Sequence, residues 1–161
     1  MIEIVTEPDF RSPQEAKIFL QELRLIARYL GVSDAEMEKG HLRCDANISL
    51  RQVDERGNVI GNRFNPKTEV KNLNSFRHVE RALEHEIVRQ TSLWSAGTPP
   101  LISTTRGWNE EKNVTVEQRS KEEAQDYRFI SDPDLPTINL TKSRIDSLKK
   151  TIPETPKQKL E

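Results

Sequence analysis

Ten residues of unbroken alternation between apolar and polar side chains, at positions 42–51, constrain the fold more than any other feature of this chain. Successive side chains of a β-strand leave opposite faces of the sheet, so the pattern predicts a strand with one face toward a core. The apolar or small positions are Leu42, Cys44, Ala46, Ile48 and Leu50, and the polar ones are Arg43, Asp45, Asn47, Ser49 and Arg51. The polar face therefore carries a carboxylate and an amide between two guanidinium groups.

A second alternating segment, residues 66–73, follows a turn-rich stretch and predicts a partner strand. Three charged residues share one of its faces: Lys67, Glu69 and Lys71. If both charged rows lie on the same side of the sheet, Asp45 and Glu69 come together among four cations. Carboxylates and phosphate oxygens suit Mg²⁺, and Arg and Lys suit phosphate. The pattern is compatible with a cradle for a metal ion and phosphates, and also with an amphipathic hairpin whose wet face carries ion pairs.

Two segments have helical periodicity. The first begins after Ser12, which can cap the helix with Pro13 in its first turn, and it ends at Gly31. The second begins after Asn74 and Ser75 and reaches about residue 95. Free N–H groups at the start of a helix favour phosphate, so this position is a candidate anion site. The alternative is an ordinary helix start that binds no anion.

The remaining segments complete a predicted α+β domain with an antiparallel sheet and packed helices. They are short strands at 1–5 and 126–130, a hairpin of 101–108 with 114–121, a stiff loop at 132–136 and a short helix at 141–150. Glu3 in the first strand is either an edge-strand charge that limits aggregation or a ligand. The strand predicted at 1–5 begins at the very first residue, which suggests that the sequence is a piece of a longer protein.

Composition limits the classes of function. Lys plus Arg number 25 and Asp plus Glu number 26, so any RNA contact must come from local patches rather than from a global field. The lone Cys44 excludes an internal disulfide and a multi-cysteine zinc site, and its apolar face predicts a buried, inert thiol. Neither a signal peptide nor an apolar run of membrane-spanning length is visible. We expect an intracellular protein without a membrane partner, in a bacterial cytoplasm or, in a eukaryote, in the mitochondrial matrix.

Five blocks of sequence, in order, carry a family likeness. They are Ile-Glu-Ile-Val-Thr-Glu-Pro-Asp (2–9), Leu-Arg-Cys-Asp-Ala-Asn-Ile-Ser (42–49), Lys-Thr-Glu-Val-Lys-Asn-Leu-Asn-Ser-Phe (67–76), Thr-Arg-Gly-Trp (105–108), and Asp-Tyr-Arg (126–128) with Pro-Asp-Leu (133–135). Together they closely resemble the B-subunit family of the aspartyl/glutamyl-tRNA amidotransferases over nearly the whole chain. The resemblance implies a partial glutamine-synthetase-like cradle over residues 1–140. Residues 141–161 would then be a short helix and the start of a linker to a helical tRNA-binding domain.

The resemblance also implies a reaction. ATP and Mg²⁺ would serve to phosphorylate the side-chain carboxyl of glutamate or aspartate mischarged on tRNA, and ammonia would displace the phosphate to give Gln-tRNA or Asn-tRNA. The implied partners are a glutaminase A subunit that makes the ammonia, a small C subunit or its equivalent, and the mischarged tRNA.

The implied metal ligands are Glu3, Asp45 and Glu69, which match the acidic positions of three family blocks. We predict Asp45, Glu69 and Arg43 as the catalytic residues. Polar residues of the same two strands and of the second helix start are the candidates for cofactor binding: Lys67, Lys71, Asn47, Arg51, Asn74 and Ser75.

Some family features are absent from the sequence. The motifs Gly-Leu-Glu-x-His and His-Met-Glu-Glu-Asp do not occur, and residues 126–131 depart from the usual Tyr-Phe-Pro ending. We therefore expect the isolated chain to be inactive, and ATP-dependent phosphorylation of Glu-tRNA by this chain alone would overturn that expectation. Two other functions stay open: an RNA-binding or assembly module without chemistry, and an ATP-dependent ligase that does not use tRNA.

Overall fold

The computed structural model describes residues 2–61, 64–120, 134 and 136–159, without the side chains of residues 119 and 120. Over these ranges the order of elements is α1 (Pro13–Tyr29), β1 (Ala46–Ile48), β2 (Thr68–Lys71), α2 (Phe76–Ser95), β3 (Thr104–Asn109), β4 (Val114–Ser120) and α3 (Lys142–Thr151). This composition confirms the predicted α+β class. The predicted strand at 126–130 and most of the predicted loop at 132–136 lie outside the described residues.

The described strands form one mixed sheet in the order β1-β2-β3-β4. The β1–β2 and β3–β4 pairs are antiparallel, as predicted for the two hairpins. The β2 and β3 strands, however, run parallel. The prediction of an antiparallel sheet is therefore wrong at the centre of the sheet. The physical reason is that α2 lies between β2 and β3 in the chain, and a helical crossover of this kind allows two strands to run in the same direction.

The first predicted hairpin is shorter than its sequence pattern. Alternation extends over 42–51, whereas β1 covers three residues. Exposure still alternates over residues 42–48, with the three polar side chains outward, so the face assignment is correct. Beyond β1 the chain closes a small hairpin of its own, in which Val53 bridges Val59 and Ile60 N–H donates to the Gln52 carbonyl. That local pairing takes the place of a longer ladder with β2.

Both long helices begin where the sequence predicts. The Ser12 hydroxyl accepts a hydrogen bond from the Glu15 N–H at 3.2 Å, which satisfies a free donor of the first turn of α1. The left-handed backbone of Gly31, with φ of 65°, follows the end of that helix. α1 packs against α2, and α2 packs on one face of the sheet. The buried core consists of Leu20, Val70, Leu73, Val79, Ala82, Leu83 and Trp108.

The two ends of the described chain differ in how well the predictions hold. Residues 2–5 are irregular and exposed, so the predicted first strand is wrong; a strand needs a partner for its backbone groups, and the sheet described here offers this segment none. α3 begins after Thr141 as predicted, and none of its residues is buried. Across the described ranges, no helix combines the length and the apolarity needed to cross a bilayer.

Candidate functional site

The polar face of β1 and β2 brings together the two carboxylates singled out from the sequence. Lys71 Nζ lies 2.6 Å from Asp45 Oδ2 and 3.1 Å from Glu69 Oε1. Both carboxylates therefore project to the same side of the sheet and meet at one ammonium group. We call Asp45, Glu69 and Lys71 the carboxylate–lysine cluster. The predicted grouping on one face is correct, and the chemical roles of these residues stay a prediction.

Strand geometry produces this cluster. Asn47 lies directly opposite Glu69 in the antiparallel register, and residues two apart on a strand share a face. Continuing the same register places Asp45 beside Lys71. Val70, between the two charged residues of β2, is fully buried on the opposite face. The orientation of the cluster is thus a consequence of burying the apolar positions of the same strands.

The cluster is partly shielded from solvent. The side chain of Glu69 is 13% exposed, that of Lys71 is 31% exposed and that of Asp45 is 49% exposed. Burial lowers the pKa of Lys71, but its hydrogen bonds with the two carboxylates outweigh burial and raise that pKa above its ordinary value. The Lys71 side chain is therefore a cation at neutral pH, held against two carboxyl groups.

A third strand contributes to this face of the sheet. Thr105 on β3 lies opposite Glu69 in the parallel register, and its hydroxyl lies 3.4 Å from Glu69 Oε2 as a donor. Gly107 lies farther along the same strand, and a Cβ there would meet the Gln118 side chain and, at 2.9 Å, the Asn72 amide. The missing side chain at Gly107 makes room for these two amides. Neither Thr105 nor Gly107 was predicted, because their proximity depends on the parallel pairing.

The predicted ligand Glu3 is exposed in the irregular segment that precedes α1. Within the described ranges, no three His, Cys, Asp or Glu side chains lie close enough together to hold a metal ion. Glu3, Asp45 and Glu69 are therefore not gathered into one group, and their roles as ligands stay a prediction. The two carboxylates that do meet fit the preference of Mg²⁺ for one or two carboxylates completed by phosphate oxygens and water.

The other predicted residues of the two strands lie around the cluster. Three of them are exposed: Arg43, Asn47 and Lys67. Arg51 instead folds onto the turn that precedes β2. Its Nη2 donates to the Gly61 carbonyl at 2.8 Å, and its guanidinium carbon lies 4.7 Å from the centre of the Phe64 ring. Arg51 therefore braces that turn, and its role in cofactor binding stays a prediction.

Ser75 and Asn74 lie at the start of α2. The Ser75 hydroxyl accepts a hydrogen bond from the His78 N–H at 3.1 Å and so caps the helix. Asn74 is exposed. The predicted helix start is therefore confirmed, and anion binding at this helix start stays a prediction.

A buried polar network between α2 and the sheet was not predicted. Its centre is Glu86, which is 0% exposed. The Glu86 carboxylate accepts a hydrogen bond from Arg89 Nη2 at 2.7 Å, and Arg106 Nε on β3 lies 3.2 Å from it. The Thr115 hydroxyl and the Gln90 amide also donate to it. One carboxylate thus ties the helix to two strands.

The electrostatics of this network favour the ionised carboxylate. Burial raises the pKa of Glu86, but hydrogen bonds from Arg89, Thr115 and Gln90 outweigh burial and leave the pKa below its ordinary value. A signal was present in the sequence, because Glu86 and Gln90 continue the helical spacing of the apolar positions of α2. Arg89 folds over Glu86 because a buried carboxylate needs a charged partner.

Cys44 lies on the apolar face of its segment, as predicted, but it is half-buried rather than buried. Burial, with a smaller contribution from the charge of Asp45, raises the pKa of its thiol to about 11. The thiol is therefore almost entirely protonated at neutral pH, which agrees with the expected inert side chain.

Comparison with known proteins extends these observations. A family described as the GatB/GatE catalytic domain matches residues 1–146. Three curated relatives are B subunits of aspartyl/glutamyl-tRNA(Asn/Gln) amidotransferases by name. The chain is 48% identical over 161 residues to the protein of Thermodesulfovibrio yellowstonii, 52% over 156 residues to that of Thermomicrobium roseum and 49% over 161 residues to that of Thermotoga maritima.

These alignments cover nearly all of this chain but a minor part of each relative. They span 100%, 97% and 100% of this chain, in the same order, and 32%, 31% and 32% of the relatives. The chain therefore spans about a third of the length of the curated relatives it matches.

Proposed function

The chain belongs to the GatB/GatE catalytic-domain family, and we propose that it forms part of the catalytic domain of an aspartyl/glutamyl-tRNA amidotransferase B subunit. In this proposal the subunit uses ATP to phosphorylate the side-chain carboxyl of glutamate or aspartate on a mischarged tRNA. Ammonia from a glutaminase A subunit then displaces the phosphate, and a small C subunit or its equivalent holds the assembly together. The observation that supports the chemistry is the meeting of the Asp45 and Glu69 carboxylates on one face of the sheet.

The proposed chemistry assigns the cluster two tasks. Asp45 and Glu69 would hold Mg²⁺, which neutralises negative charge during phosphoryl transfer when it is bound. Lys71 supplies a fixed positive charge directly beside them, where it suits phosphate oxygens. Arg43 and Lys67 are exposed cations of the same two segments and complete the candidates for phosphate contacts.

A second candidate function uses the same cluster without chemistry. Lys71 already contacts both carboxylates, so the three side chains can act as a structural ion pair on the face of an RNA-binding or assembly module. This alternative predicts that loss of one carboxylate changes stability and leaves phosphorylation intact.

The test uses the full-length B subunit assembled with its partner subunits and tRNA. Asp45→Asn and Glu69→Gln each remove one charge with little change in size. We expect each to lower ATP-dependent phosphorylation of Glu-tRNA or Asp-tRNA by about 10²–10³-fold, as for the loss of one electrostatic contact to a transition state. Glu117→Gln is the matched control, because that carboxylate pairs with Arg106 on the face that bears α2. Wild-type phosphorylation by both cluster variants would contradict the proposal and favour the module without chemistry.

A further inference from the structure

We propose that Thr105 is a positioning residue for Glu69, whose hydroxyl sets the rotation of the Glu69 carboxylate within the carboxylate–lysine cluster. The inference rests on the proposed function, in which Glu69 is a ligand of the divalent ion. Thr105 belongs to the third strand of the site, and its own side chain need not touch the ion.

The two oxygens of Glu69 face different groups. Lys71 Nζ lies 3.1 Å from Oε1, and Thr105 Oγ1 lies 3.4 Å from Oε2. Contacts at both oxygens limit the rotation of the carboxylate plane. The distance to Thr105 exceeds the roughly 2.7–2.8 Å of a common O–H···O hydrogen bond, so the contact is weak and its loss should have a small effect.

Thr105 is a stiff and buried donor. Its residue is 1% exposed, and a β-branched side chain has few accessible rotations about its first bond. A buried hydroxyl without a partner costs free energy, which directs its O–H toward an acceptor. The strand that carries it is flanked by β2 on one side and β4 on the other. The Thr105 hydroxyl therefore has a nearly fixed position relative to the Glu69 carboxylate.

The next residue fixes the strand from the opposite face. Arg106 Nε lies 3.2 Å from the buried Glu86 Oε1, and Arg106 Nη2 donates to the Thr115 carbonyl at 2.8 Å. The register with β4 shifts between Thr105 and Arg106. The extra residue at this shift is Gln118 on β4, whereas Thr105 and Arg106 keep an unbroken register with β2. Because successive residues of a strand leave opposite faces, Thr105 serves the cluster on one face while Arg106 serves the buried network on the other.

A carboxylate that binds a metal is itself commonly held by a hydrogen bond, and losing that second contact typically weakens metal affinity about 10–100-fold. The contact to Glu69 is long, so we expect an effect at the lower end of that range. Thr105→Val removes the hydroxyl with the shape nearly unchanged, and Thr105→Ser keeps it. Thr104→Val is the matched control, because the Thr104 hydroxyl faces Thr68 at 3.3 Å on the other side of the sheet.

The experiment is a titration of the full-length B subunit with Mn²⁺, followed by electron paramagnetic resonance, with unfolding temperatures measured in parallel. We expect Thr105→Val to weaken Mn²⁺ binding about tenfold, and Thr105→Ser and Thr104→Val to bind as the wild type does. If Thr105→Val does not fold, Thr105→Ala, which also lacks the hydroxyl, takes its place. Wild-type affinity in the variant without the hydroxyl, or equal weakening in Thr104→Val, would overturn the inference.

Glu69→Gln in the same titration separates this inference from the proposed function. If Glu69→Gln leaves the Mn²⁺ affinity unchanged, Glu69 is not a ligand, and both the proposed function and the role of Thr105 are wrong. If Glu69→Gln weakens binding and Thr105→Val does not, the role of Thr105 alone is wrong.

Discussion

Lys71 Nζ donates to Asp45 Oδ2 over 2.6 Å, joining two antiparallel strands by a charge-assisted hydrogen bond. The same ammonium contacts Glu69, which is less exposed than Asp45. One lysine therefore offsets the repulsion between two carboxylates that the register of the strands places on one face. This relationship makes the stability of the strand pair sensitive to the charge of a single side chain.

We expect Lys71→Met to lower the free energy of unfolding at pH 7 by about 1 kcal/mol or less, since exposure weakens such pairs. Contacts with the carboxylates outweigh burial and raise the folded-state pKa of Lys71 above its ordinary value of 10.5. The stabilisation is therefore complete below pH 10.5 and is lost as the pH rises through the folded-state pKa. Urea unfolding at pH 7 and pH 11 checks this, with the exposed Lys67→Met as the control. A difference from the wild type that does not change with pH would contradict the assignment.

Glu86→Gln tests the buried network. We expect it to lower the free energy of unfolding by about 3–5 kcal/mol, because Arg89 and Arg106 lose their buried anionic partner. Burial raises the pKa of Glu86, but hydrogen bonds outweigh burial and lower it below the ordinary 4.5. Its contribution is thus present above pH 4.5 and is lost as the pH falls through the folded-state pKa. Denaturant unfolding from pH 7 to pH 3 measures the difference.

The matched control for Glu86→Gln is Glu84→Gln, on the exposed face of the same helix. It should change the free energy of unfolding by less than about 0.5 kcal/mol. Equal effects of the two substitutions would show that the network does not hold the helix to the sheet.

The thiol of Cys44 should react slowly in the folded protein. With a pKa of about 11, about a thousandth of the thiol is ionised at pH 8, against about a quarter for a free cysteine. The rate can be followed with a disulfide reagent whose released product absorbs visible light. We expect this reagent to modify the Cys44 thiol about 100-fold more slowly in the folded protein than in the unfolded chain. The folded rate should rise about tenfold per pH unit up to pH 10. Equal rates for folded and unfolded protein would rule out the burial described here.

The start of α2 permits a comparison of two neighbouring polar residues. Ser75→Ala should lower the free energy of unfolding by about 1 kcal/mol, because His78 N–H loses its acceptor. Asn74→Ala should leave stability nearly unchanged, since Asn74 is exposed and Ser75 holds the cap. Thermal unfolding followed by circular dichroism distinguishes them, and the reverse order of effects would move the cap to Asn74.

The cluster face was predictable because alternation alone decides which side chains of a strand share a side. Burial of Val70 and the outward direction of Asp45 are two consequences of the same pattern. The length of β1 was not predictable in this way, since the short hairpin around Val53 and Val59 competes for the same backbone.

The third strand and the buried network depend on contacts between distant parts of the sequence. The relation of Thr105 to Glu69 exists only because the chain returns parallel to β2, and local periodicity carries no information on strand direction. Glu is a residue type usually found at the surface, and the burial of Glu86 depends in part on Arg106 and Thr115 from other elements. The one sign of this burial in the sequence was that Glu86 falls on the helical spacing of the apolar positions of α2.

The parallel return of the chain also constrains the order of assembly. Residues 72–103 separate β2 from β3, and closing so long a loop costs more entropy than forming a tight turn. The β3–β4 ribbon can form locally, whereas the contact between Thr105 and Glu69 joins residues that are far apart in the sequence and is expected to form more slowly. During synthesis, β1 and β2 are translated before the strand that carries Thr105.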